Sequence, residues 1–159
     1  MISNSDSHFL DLEYSSRGEY KNKSLLVSNI QNDTLYIKEK TTPTSLALND
    51  KLSVHKNHST SLTLLIPKNL SVILNVNNST TNVSGNFSTF KLYQSLGEIY
   101  LSDWNNSAII QTLSAHITLI NSKAKVIANQ NENSNCIKTN STKAVNISSV
   151  SGKIRCVVF

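Results

Sequence analysis

The chain is poor in glycine and proline, with four and two among its 159 residues. A fold with many turns then needs another residue at left-handed backbone positions. Asparagine suits them best, because its short amide hydrogen-bonds the local backbone; an A/T-rich coding sequence would raise asparagine as well. Aromatic residues are only 6%, so a core has to come mainly from Ile, Leu and Val. Charged residues are only 16%. That argues against disorder, which usually pairs low hydrophobicity with high net charge. No apolar stretch is long enough to span a bilayer. Met1 and Ile2 run into a polar, acidic segment that lacks the basic flank and apolar centre of a signal peptide. Two locations follow: cytoplasmic if Met1 is the native start, or cell envelope or extracellular if an upstream export signal was removed.

What the chain does contain is Asn, Ser and Thr, together more than a third of its length. That length fits one domain or one repetitive array and is enough to bury a core. The net charge of +5 is unevenly placed. Before Pro67 seven basic residues balance seven acidic ones, whereas from Pro67 onward eight face three, namely Glu98, Asp103 and Glu132. A basic surface favours anionic partners. These lysines are dispersed, however, without the interleaved aromatics of a nucleic-acid patch, so no specific nucleic-acid binding is expected and solubility is their expected role.

From about residue 25 apolar residues alternate with polar ones in short runs: Leu35/Ile37, Leu46/Leu48, Leu52/Val54, Leu62/Leu64/Ile66 and Val72/Leu74/Val76. Alternation bounded by Asn, Ser, Thr, Lys or Pro is the signature of strands. No helical stripe exceeds two turns, so the expected class is all-β. Residues 92–101 align with 110–119 at a shift of about 18, matching apolar positions at 92/110, 99/117 and 101/119. Small residues coincide too, at Gly97 and Ala115. A step back from Leu92 reaches Leu74, and a step forward from Ile117 reaches Ile137 across an Asn-rich insertion. About 18 residues is three short strands, one turn of a parallel β-helix (β-solenoid) whose stacked turns share an Ile/Leu/Val column. The alternative is an antiparallel β-sandwich, whose strands also recur at short intervals.

The segment SLTLLIPKNLSVILNVNNSTTNVSG, with LGEIYL (96–101), SAHITL (114–119) and SGKIRC (151–156) after it, resembles the bacterial putative-adhesin domain family. NDTLYIKEK (32–40) is similar to that family's preceding strand, and the resemblance covers about residues 25–159. It implies a parallel β-helix in an exported or surface-attached protein, with no catalytic residues to carry over. Residues 1–24 then stand as an N-terminal tail or an irregular first strand. Glycine is rarer here than in typical members, with Ala115 and Ser84-Gly85 at such positions.

Few residues suggest chemistry. A β-helical lyase or glycosidase needs paired carboxylates, or acids that hold calcium against an acidic sugar. Glu98 and Asp103 are separated by a predicted corner, so no enzyme activity is expected, and a carbohydrate-active enzyme is the least favoured reading. His55 and His58 form an H-x-x-H, but residues three apart on a strand face opposite ways. No metal or other cofactor is expected. Cys136 and Cys156 are about one turn apart, close enough for a disulfide across neighbouring strands. Yet Cys156 shares parity with inward Ile154 while Cys136 neighbours inward Ile137, which favours two unlinked thiols. Tyr93 and Tyr100 have outward parity and Trp104 sits near a corner, so these three are the candidate ligand-binding residues. The expected function is a non-enzymatic adhesion-type domain whose unknown surface ligand is a polysaccharide or a protein. The alternative is a structural scaffold that self-associates end to end through open solenoid ends, for which the apolar run Cys156-Val157-Val158-Phe159 is a candidate.

Overall fold

The computed structural model describes residues 1–18, 24–41, 58–129, 136 and 141–159. Among them there is no helix. The strands of these described residues follow in order: β1 (Ile2–Ser5), β2 (Asp11–Gly18), β3 (Ser24–Gln31), β4 (Thr34–Thr41), β5 (His58–Pro67), β6 (Ser71–Ser84), β7 (Thr89–Ser102), β8 (Ala108–Thr112), β9 (His116–Ile120), β10 (Lys125–Ala128), β11 (Ala144–Ser149) and β12 (Ile154–Val157). The all-β class read from alternation is the observed one. Residues 1–24, expected as a tail or an irregular first strand, contain β1, β2 and the start of β3. The alternating pairs Leu46/Leu48 and Leu52/Val54 lie outside the described residues, as do His55 and Ile137.

Two compact units divide the chain, Met1–Asp11 with Leu64–Phe159, and Leu12–Thr63. In the second unit β3 and β4 pair antiparallel from Ser24↔Thr41 to Gln31↔Thr34. The loop between them is Asn32-Asp33, with φ of 48° and 57°. Two successive left-handed residues make the turn whose twist matches a hairpin, and Asn and Asp accept that geometry at least cost after glycine. Glu39 accepts hydrogen bonds from the Tyr14 hydroxyl at 3.3 Å and the Thr60 hydroxyl at 3.4 Å.

In the first unit the strands lie in the order β10-β11-β8-β7-β6-β1-β5, with β9 beside β7 and β12 beside β9. The pairs there are parallel. From Ser71↔Thr89 to Ser84↔Ser102, β6 pairs β7 at one constant offset, the same interval that the sequence repeats. That offset also joins β7 to β8 (Leu92↔Ile110) and β7 to β9 (Ile99↔Ile117, Leu101↔Leu119). The positions matched in the sequence are therefore Cα partners. Ile117 then pairs with Ile154, roughly two intervals on. β10 lies outside β11, so the chain leaves β9, runs to the far edge, and later returns to place β11 between β8 and β10. A fixed period cannot foresee a skipped position of this kind.

The buried residues explain why these strands form. In β6, Val72 and Val83 are buried; in β7, Phe90, Leu92, Gln94, Ile99 and Leu101. Alternation thus holds within each half of β7 and slips by one between Gln94 and Ile99. The slip falls at Gly97, whose φ is +97°. Here the first half, which pairs β8, gives way to the second, which pairs β9. Leu92, Ile110 and Val145 line one side of the core, and Ile99, Ile117 and Leu119 another, each nearly or wholly hidden from solvent. Burying such a side chain stabilises by roughly 1.5–3 kcal/mol.

The turns repeat as well. Gly85, Asp103 and Asn121 follow the second halves of successive ladder strands, with φ of 114°, 51° and 49°. The non-glycine residues of positive φ are Asn32, Asp33, Asn69, Asp103 and Asn121 among the described residues. Asparagine and aspartate stand where glycine usually would.

Cys136 and Cys156 form a disulfide with their Cα atoms 4.9 Å apart. This corrects the expectation of unlinked thiols. That expectation placed both cysteines on strands, where parity decides which way a side chain points. Only Cys156 is on one; Cys136 has no regular structure and lies in the connection between β10 and β11, so strand parity does not govern it. Cross-links of this loop length stabilise by about 2–4 kcal/mol through the unfolded chain. A Cys136→Ser/Cys156→Ser variant is expected to lose about that much in urea unfolding. An unchanged midpoint would show that the bond contributes nothing.

Candidate ligand-binding face

Residues facing outward from β6, β7, β8 and β11 form straight columns, because the parallel register carries side chains of like parity onto one line. One column is Asn75, Tyr93, Gln111 and Ser148, each the Cα partner of the next. A second, two residues away, is Ile73, Lys91, Ile109, Asn146 and Ile127. On the other side Asn77, Ser95 and Leu113 recur at the repeat interval along the strand ends. Between this last set and the first column lies an open groove of about 670 Å³. Tyr93 is half-buried in it, and Asn75, Asn77 and Gln111 are exposed.

The floor of the groove is held from beneath. Gln94 points inward and is buried. Its Nε2 donates to the carbonyl oxygens of Ser79 at 2.8 Å and Leu96 at 2.9 Å, and its Oε1 accepts from the Thr81 hydroxyl at 2.6 Å. One amide thereby binds backbone carbonyls of both β6 and β7 beside Gly97. Thr112 donates to Ser149 Oγ at 3.0 Å, and that oxygen accepts the Gly152 N–H at 2.9 Å. Asn129 Nδ2 donates to Ser148 Oγ at 3.3 Å, while its Oδ1 accepts the Ser149 N–H at 3.0 Å. Gln94 belongs to no motif; the parity it shares with inward Leu92 is the available signal.

Tyr100 lies on the other half of β7 and so on a different face from Tyr93. Its neighbours across the strands are Asn82 and Thr118, with Arg155 next to Thr118. The Tyr100 hydroxyl donates to Glu98 Oε2. That hydrogen bond first, then desolvation and the Glu98 charge, push the phenol above its ordinary range, while Arg155 pulls it down. The protonated form is the one favoured by the fold, so Tyr100 is expected to ionise at higher pH than an isolated tyrosine. A spectrophotometric titration should show a late step that Tyr100→Phe removes and Glu98→Gln moves to lower pH. A single unshifted step would contradict this.

Trp104 is not part of any binding face. It is 0% exposed, with its ring centroid 5.0 Å from that of Phe90 and 6.0 Å from that of Phe87. Its Nε1 donates to the Asn106 carbonyl at 2.6 Å. The expectation that Trp104 is a ligand-binding residue is therefore corrected. Asp103 takes a positive φ, and the residue after it enters the core instead of solvent. Of the three candidates, the structure puts Tyr93 in a groove, Tyr100 on another face and Trp104 inside. No group of three or more His, Cys, Asp or Glu side chains converges on a metal site among the described residues. No helix among them is long and apolar enough to cross a membrane.

These features define an all-β protein with a regularly spaced face, on which a polar column runs beside exposed isoleucines. No family model matches the chain, and no curated protein matches it. Among solved structures it is similar to the crystal structure of a "putative cell adhesion protein" from Clostridium sporogenes, with a TM-score of 0.58. The match covers 99% of this chain and 86% of that one at 16% identity, so the likeness is one of fold.

Proposed function

We propose that this chain is a non-enzymatic adhesion-type binding domain of the cell envelope or extracellular space, and that its parallel ladders wind as a β-solenoid. The constant register through β6, β7, β8 and β9 carries the solenoid reading. Each halved strand, with its slip in parity, supplies two faces of such a turn. The single observation behind the binding role is the groove column Asn75-Tyr93-Gln111-Ser148 on a rigid ladder. The fold it shares with a protein described as an adhesion protein is consistent with that role. A disulfide fits an oxidising compartment, where such bonds persist. Beads coated with the purified chain are expected to adhere to bacterial or epithelial cell layers more than albumin-coated beads. Equal retention of both would count against adhesion.

A second reading, end-to-end self-association, is favoured by the edge of the ladder. β10 pairs with β11 on one side, and its Ile127 is exposed. An unprotected edge strand is a template for pairing with another chain. Light scattering over a concentration series is expected to show growth if the edges pair. A constant monomer mass would remove this reading.

A further inference from the structure

Building on the adhesion reading, we propose that the groove along Asn75, Tyr93, Gln111 and Ser148 is a binding site for an uncharged glycan strand, which lies across the β-strands with a sugar ring against Tyr93. The chemistry of the lining points to this class. Asn75, Asn77, Ser95, Gln111 and Ser148 are neutral groups, and among the described residues no Lys, Arg, His, Asp or Glu lines the groove, although the chain carries a net charge of +5. An anionic ligand would find no cation in the groove itself; the nearest column holds only Lys91. Side-chain amides and hydroxyls both donate and accept, as sugar hydroxyls do.

The geometry fits a repeating polymer. The column crosses four strands, each step about 4.8 Å, so it runs for about 14 Å. Similar polar groups thus recur at intervals comparable to the rings of an extended glycan. Tyr93 is half-buried, which holds its ring while leaving an apolar surface and a polar tip for a sugar. Exposed Leu113 forms the facing wall and adds apolar area for the C–H face of a ring. The bonds of Gln94, Thr112 and Asn129 hold the floor, so the backbone beneath the groove needs no reordering on binding. A protein partner is the less suitable occupant, since protein hot spots favour Trp, Tyr and Arg clusters and this groove holds one tyrosine and no arginine among the described residues.

The test uses the full chain against immobilised cello-, manno-, xylo- and chito-oligosaccharides, with heparin and polygalacturonate as charged controls. Binding to at least one neutral oligosaccharide is expected. Tyr93→Ala should weaken it about tenfold or more, whereas Tyr93→Phe, which keeps the stacking ring, should bind nearly as well. Gln111→Ala should weaken it several-fold, and Tyr100→Ala, on the other face, should leave it unchanged. Thermal unfolding of each variant confirms that it is folded. Binding only to the charged polymers, no binding to the neutral panel, or binding indifferent to Tyr93→Ala would overturn the proposal. Bead adherence separates this from the adhesion reading. Adherence that survives periodate treatment of the cells but not protease overturns the glycan site and leaves adhesion standing. Failure to adhere to untreated cells removes adhesion, while the oligosaccharide panel still decides the groove.

Discussion

Gly97→Ala is expected to destabilise the first unit by about 3 kcal/mol or more, among the largest effects of any single substitution here. Two costs combine. The φ of +97° is a backbone conformation that L side chains rarely adopt. A Cβ built there would also lie 2.1 Å from the Ser79 carbonyl oxygen, which is backbone and has no rotamer to change. Relieving that contact means spreading β6 from β7 where Gln94 ties the two together. The partner position offers a control. Ala115 is fully buried at the equivalent point, and its methyl group is accommodated there. Ala115→Gly should cost only about 1 kcal/mol, from backbone entropy and a lost methyl contact. Gly152 repeats the constraint, since a Cβ there would lie 2.0 Å from the Ala115 carbonyl oxygen. Urea unfolding of the two variants tests the pair. Similar losses for Gly97→Ala and Ala115→Gly would show that close backbone approach is not what selects glycine.

Trp104→Ala is expected to cost about 3–5 kcal/mol, the range for deleting a large buried aromatic side chain. The indole packs against both Phe87 and Phe90, and its N–H satisfies the Asn106 carbonyl. Asn106 in turn donates to the Phe87 carbonyl at 3.1 Å. The Trp104 carbonyl accepts the Lys123 N–H at 3.0 Å and the Ser122 hydroxyl at 3.1 Å. The tryptophan thus ties together the turns after β6, β7 and β9. Trp104→Phe should cost less, keeping much of the ring packing and losing the hydrogen bond. If Trp104→Ala unfolds at the wild-type urea concentration, the buried position is wrong. If it also abolished glycan binding while remaining fully folded, Trp104 would belong to the surface after all.

Several features were legible in the order of residues. Alternation at Leu92, Ile99, Leu101, Ile110, Ile117 and Leu119 requires half-buried strands, and their coincidence at the repeat interval places them as neighbours. The shortage of glycine pointed to asparagine at left-handed positions, and Asn32, Asn69 and Asn121 are there with Asp33 and Asp103. Tyr93 could be assigned outward parity from its neighbours Leu92 and Gln94. The full groove was not legible, because its last member, Ser148, arrives by an offset other than the repeat interval.

By itself, then, the order of residues determined the strand class, the repeat interval and the residue types at the turns. These follow from local physics: side-chain parity on an extended backbone and the steric cost of positive φ. Tertiary structure alone decided where the period is broken, by placing β11 between β8 and β10. It also joined Cys136 to Cys156 and turned Trp104 inward. Each of these depends on which segments approach one another across a connection that carries no periodic signal, so parity and spacing could not specify them.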